Sequence, residues 1–187
     1  DGGDADSSEE TQKITRRMAA RILFAANRIE QSQGFLPSLD NAKKDNDTEA
    51  LDILSDAYMR LHTKERDKQL LENSWHAAQA LLAYAETKDE LRNEALRRCG
   101  QLVPMIREEL GDKWLTESFT SEPERGMEIL AGIGGASATS MKDQLQNPAE
   151  RVSILKLQQT AVDAFLKTAS ERADSWQATL HLLAANW

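Results

Sequence analysis

Two sets of residues in this chain have types and spacings that could do chemistry. The first is the run EILAGIGGASATSM, from Glu128 to Met141. A glycine-rich loop cradles a phosphate when it follows a strand, opens a helix and ends in a Lys–Ser/Thr pair. Here Lys142 is followed by Asp143, and the residues before the run are spaced for helix. The dinucleotide fingerprint needs a preceding strand and an acidic residue on the next one, and neither pattern is present. The other reading is a seat for a neighbouring helix. Met127, Leu130, Gly134, Ala138, Met141 and Leu145 keep the helical step through the run. Gly132, Gly134, Gly135, Ala136 and Ala138 would then form a flat face, at about 1 kcal/mol per glycine relative to alanine. A break at Gly134–Gly135 is the competing local structure.

The second set is the histidines and their carboxylate neighbours. His62 and Glu65 are three residues apart, and Glu72 and His76 are four apart. Each pair would share a helix face, and the four together would make a metal cluster if the two ends met. Solvated or singly hydrogen-bonded pairs are the favoured alternative. The Glu-x-x-His pairs of di-iron bundles do not occur, and His181 sits at the edge of its apolar row. The single cysteine, Cys99, excludes an internal disulfide and any Cys-based zinc or iron–sulfur cluster; its place on an apolar row makes it a core residue. No serine or cysteine is spaced with a base as a nucleophile would require. The expectation is a protein that is not an enzyme and holds no cofactor.

Binding residues are the remaining candidates. Trp114 and Phe119 lie in a short connecting piece, where they either pin that piece or line a groove, with Arg97 and Arg98 as a nearby basic cluster. Lys13, Arg16, Arg17, Arg21 and Arg28 make the first helix basic, most simply as a solvated face paired with carboxylates. Trp75, Trp176 and Trp187 lie on apolar rows and belong to the core. The chain carries 23 Lys and Arg against 31 Asp and Glu, a net charge of −8, which repels nucleic acid and anionic lipid at long range. No apolar run approaches the roughly 20 residues of a membrane span.

The elements that must position these residues are all helical. Apolar residues recur at three- and four-residue steps throughout. Ser7 and Glu10 form a capping box ahead of the row Ile14, Met18, Ile22, Ala25, Ile29, which runs to Gly34. GFLPSLDNAKKDND reads as a linker. A second helix carries Ala50, Leu54, Ala57 and Leu61, and a third carries Leu71, Trp75, Ala78, Leu82 and Ala85. Thr87 and Glu90 cap a fourth, with Leu91, Ala95, Cys99, Leu102, Ile106 and Leu110. Pro104 predicts a kink or a break near Val103, and Gly111 a C-terminal cap. Ser121-Glu-Pro-Glu and Asn147-Pro-Ala-Glu open further helices, with rows from Val152 to Ala169 and from Ala173 to Trp187. The prediction is an all-α fold of about seven helices, arranged as antiparallel hairpins in a stack or an irregular bundle. Residues 1–7 are expected to be a disordered acidic tail and 8–187 a single domain.

The segments SWHAAQALLAYAETKDELRNEALRRCGQLVP and ADSWQATLHLLAANW each set a tryptophan early in a helix, with Leu and Ala at helical steps after it. In this they resemble tetratricopeptide-like helical repeats, with Pro104 closing the unit and departures at Gln79 and Leu91. The resemblance implies a scaffold that binds other proteins or further domains of its own chain, and it implies no catalytic residues. The apolar row reaching Trp187 suggests that the helical array continues, and the acidic DGGDADSSEE suits a tether on an exported protein. The alternative is an extracytoplasmic helical bundle that binds a ligand or a metal, through His62, Glu65, Glu72 and His76.

Overall fold

The computed structural model describes residues 3–85 and 89–122, together with 125, 126, 128, 129, 156 and 159. Among the described residues seven helices occur and no strand: α1 (Gly3–Ala25), α2 (Ile29–Gln33), α3 (Leu39–Lys44), α4 (Thr48–Glu65), α5 (Lys68–Tyr84), α6 (Asp89–Glu109) and α7 (Asp112–Ser121). The all-helical class expected from the spacing is what the structure shows. The glycine run at 132–138, the 147–187 rows, Thr87, Trp176, His181 and Trp187 lie outside the described residues.

The most extensive contact is between α4 and α5. Asp67 starts α5 by accepting from the Gln69 amide at 2.9 Å, which satisfies one donor that the first turn leaves open. Arg66 closes α4 in the left-handed conformation at φ 57°. Two residues therefore reverse the chain, and the helices lie antiparallel. Ala50, Leu54, Ala57 and Leu61 on α4 and Leu71, Trp75, Ala78 and Leu82 on α5 are buried, as the spacing predicts. Ser55 Oγ donates to the Ser74 carbonyl at 3.1 Å, and Ser74 Oγ donates to the Ser55 carbonyl at 2.7 Å. Small side chains let the two backbones approach closely, and each hydroxyl satisfies itself on the opposite helix. The close helix seat foreseen for the glycine run is thus made here by serine and alanine.

Three sequence expectations are corrected. The first helix does not run on to Gly34: it stops at Ala25, and Asn27 at φ 59° turns the chain into α2. Asparagine tolerates this left-handed conformation better than most residues. At the other end α1 begins at Gly3. The linker contains α3, capped by Ser38, whose Oγ accepts from the Asn41 amide at 3.3 Å. α6 continues through Pro104. The proline ring removes one backbone donor, but it faces solvent, while Leu102 and Ile106 on either side are buried and hold the turn.

The chain groups into two compact units, Asp1–Arg98 and Cys99–Trp187. The boundary falls inside α6. In the second unit Gly111, at φ 91°, ends α6 and admits α7. Its amide donates to the Ile106 carbonyl at 2.9 Å. Gly126 lies against α7 so closely that an added Cβ would stand 3.0 Å from Phe119 Cβ and 3.1 Å from its backbone.

Candidate functional site

The tightest cluster of charge belongs to the first unit. Arg98 reaches from α6 to α4 with its side chain almost wholly buried. Its Nη2 donates to Glu94 Oε1 at 2.8 Å and to Asp52 Oδ1 at 3.2 Å, while Nη1 stands 3.0 Å from Asp56 Oδ1. Nε and Nη1 are buried without a hydrogen-bond acceptor in good geometry. Arg97 turns to the same Glu94, donating from Nε at 2.8 Å. That hydrogen bond, with burial opposing it and Arg98 adding to it, holds the Glu94 carboxyl down at about 2. Burial pushes Asp52 above the ordinary carboxylate range, with Arg98 opposing and Glu94 and Asp56 reinforcing.

These two directions predict a specific pH dependence. A carboxyl raised in the folded state binds its proton before the unfolded chain does, so Asp52 adds stability as pH falls through its raised range. Glu94 works the other way, because the unfolded chain takes up protons near 4.5 while the folded one resists to about 2. Its contribution is lost as pH falls between those values. Urea denaturation at stepped pH should show little loss down to about pH 5 and then a decline. Glu94→Gln should flatten the decline; an unchanged acid profile in that variant would contradict the role assigned to Glu94.

Arg97 and Arg98, foreseen as partner contacts, are therefore engaged within their own unit. Phe119 is buried under Gly126, and Trp114 is half-buried, so the Trp–Phe pair does not form an open aromatic patch. Aromatics on one short helix cannot be sorted into pin or contact by spacing, since that depends on what covers them.

The histidine cluster does not assemble. Among the described residues no group of His, Cys, Asp and Glu is placed to hold a metal. His62 is fully buried at the end of α4, and its Nδ1 donates to the Asp67 carbonyl at 2.8 Å. Nε2 is buried without a hydrogen-bond partner among the described residues. His62 thus pins the α4–α5 turn, while Glu65 and His76 face solvent and Glu72 is half-buried. The i, i+3 and i, i+4 spacings hold within each pair, but the two pairs lie on different helices, α4 and α5.

A half-open cleft of about 370 Å³ lies where the α1–α2 turn meets α4, lined by Asn27, Arg28, Ile29, Glu30, Arg60 and Lys64 among others. Lys64 closes one wall on Glu30 at 2.7 Å. Arg60 is held by Asp56 at 3.2 Å and covers the Phe24 ring at 4.5 Å. The cations of the cleft are thus largely neutralised by its own residues.

What the spacing missed lies on α1. Ile14, Met18 and Ile22, read as a core row, are 48%, 59% and 67% exposed. The opposite side of the helix is the inner one. Ala20 is buried, and its carbonyl accepts from Ser32 Oγ at 2.8 Å. Arg17 donates to Asp47 from Nε at 3.1 Å and from Nη2 at 2.7 Å. Asp47 at the same time caps α4 by accepting from the Ala50 amide at 3.0 Å. Phe24 packs on the Ile29, Ala57 and Leu61 cluster. At about 100° per residue, Met18 lies roughly 160° around the helix from Ala20. These ties leave Ile14, Met18 and Ile22 facing outward.

Comparison of the chain with protein-family models, curated proteins and solved structures finds no match. The outward row and the buried charge cluster therefore carry the functional reading on their own physics. Among the described residues no helix is long and apolar enough to cross a membrane.

Proposed function

We propose that this protein is a non-enzymatic helical scaffold that binds protein through the outer face of α1. The supporting observation is the row Ile14, Met18 and Ile22, three large apolar side chains on one line of a helix whose other face is already tied down. A contiguous exposed apolar patch of this kind marks an interaction surface. An amphipathic helix presenting anchors at four-residue steps is a common recognition element. The α4–α5 hairpin behind it, with helices of 18 and 17 residues, is the kind of unit that tetratricopeptide-like scaffolds stack. That repeat type is part of this proposal.

Photo-crosslinking tests the reading. A benzoylphenylalanine placed at Met18 in the producing cells should give a discrete protein adduct, and one at exposed Gln69 should not. Ile14→Asp together with Ile22→Asp should abolish the adduct while leaving the melting temperature of the protein in place. Absence of any adduct from position 18, or equal labelling from position 69, would refute the interaction reading.

A further inference from the structure

The cleft between the α1–α2 turn and the end of α4 gathers positive charge on a chain that is acidic as a whole. The Arg28 amide donates to the Leu23 carbonyl at 2.8 Å, and Asn27 takes φ 59°. The backbone therefore turns after α1 and brings Arg28, Ile29 and Glu30 beside the last turns of α4. There Arg60 and Lys64 stand one helical turn apart on one face, next to Leu61. These six side chains line a volume of about 370 Å³. Ile29 and Leu61 are buried members of one apolar cluster, and they give the cleft its apolar part.

Three of the lining side chains are cations, and Glu30 is the single carboxylate among the six. Two internal pairs engage part of that charge, and both are loosely held. Lys64 meets Glu30 at 2.7 Å, but the two side chains are 68% and 65% exposed. An ion pair so open contributes little and gives way readily to a better acceptor. Arg60 turns Nε and Nη2 to Asp56 at 3.4 and 3.2 Å, a carboxylate that Arg98 shares at 3.0 Å. Nη1 of Arg60 has no acceptor among the described residues, and the Phe24 ring beneath the guanidinium at 4.5 Å holds it in place. Arg28 makes no side-chain hydrogen bond or ion pair among the described residues.

Two guanidinium groups with donors to spare, and a lysine that is easily released, match a doubly charged anion better than a single carboxylate. The guanidinium fork also fits phosphate oxygens. Ile29 and Leu61 favour a ligand with a carbon body next to its charge. The volume is close to the lower bound of ligand pockets, about 300 Å³, so that body is small. We propose that this cleft binds a small organic phosphomonoester. The phosphoryl group lies between Arg28 and Arg60, the carbon stem rests against Ile29 and Leu61, and Lys64 leaves Glu30 to make a third contact. Ile14, Met18 and Ile22 do not line the cleft, so this site stands or falls independently of the α1 reading.

Proton–nitrogen correlation NMR on the full chain, titrated with phenyl phosphate, tests the site. The amide signals of Arg28, Ile29, Glu30 and Lys64 should shift saturably, with a dissociation constant on the order of 1 mM. Inorganic phosphate, which lacks the stem, should bind more weakly. Benzoate should bind about tenfold more weakly, and phenol should leave the signals in place. Arg28→Gln should weaken phenyl phosphate about tenfold. Glu30→Gln removes the competing carboxylate and releases Lys64, so it should tighten binding about threefold. Both positions are exposed, and both variants should keep the wild-type melting temperature.

No saturable shift by about 20 mM phenyl phosphate would overturn the proposal. So would shifts centred on Lys13, Arg16 and Arg21 in place of the cleft, benzoate binding as tightly as phenyl phosphate, or wild-type affinity in Arg28→Gln.

Discussion

Trp75→Ala should lower folding stability by about 4 kcal/mol, near the upper end for a large core side chain. Trp75 is completely buried at the centre of α5, between Leu71 and Ala78 on its own row. The cavity cannot close easily. The α4 and α5 backbones are tied together by the reciprocal Ser55 and Ser74 hydrogen bonds, and the buried Ala50, Ala57, Ala77 and Ala78 on these two helices have nothing to extend into a space. Urea denaturation followed by far-UV circular dichroism measures the loss. Trp114→Ala, at a half-buried position on α7, is the matched control and should lose clearly less. If both variants lost about 1 kcal/mol, below the range for a truncated buried aromatic, the α4–α5 hairpin would not be the centre of the first unit's core.

Arg98→Ala should cost about 3 kcal/mol at neutral pH, because it leaves a group of carboxylates without the cation that balances them. Glu94 would keep Arg97 and Asp56 would keep Arg60, but Asp52 would lose the cation that faces it, and it is already pushed toward its neutral form by burial. Acidification should therefore recover part of the loss in Arg98→Ala, in contrast to the decline expected for the wild type below about pH 4.5. A double-mutant cycle with Asp52→Asn should be non-additive, since removing one member of the network relieves the strain left by removing the other. Wild-type stability in Arg98→Ala, or strict additivity in the cycle, would mean that the cluster is a surface arrangement with no hold on α6.

Much of the helical frame was legible from spacing. The rows on α4, α5 and α6 fall on buried positions from Ala50 to Ile106, and Cys99 lies among them as a core residue. These rows could be read because one strong apolar line on each helix coincides with its only buried face. Residues whose roles depend on the opposite wall were not legible. His62 has metal-ligand chemistry and metal-ligand spacing, yet it serves as a turn pin because the Asp67 carbonyl meets its Nδ1. Arg98 is adjacent to Arg97 in a run that reads as a basic patch, yet only Arg98 points at α4, where two aspartates await it. Phe119 beside Trp114 suggested a groove until Gly126 closed over it.

The sequence by itself determined that the backbone is helical, which residues share a line on the longer helices, and that a single cysteine allows neither an internal disulfide nor a multi-cysteine metal centre. Only the tertiary structure decided which line faces inward. On α1 the row Ile14, Met18 and Ile22 defines the most evident face, but Asp47, Ser32 and the Phe24 contact all act from the other side, and their combined hold orients the helix. Periodicity is a property of one helix, whereas burial is a property of the pair, and the partner that turns a face inward is supplied by residues distant in the chain.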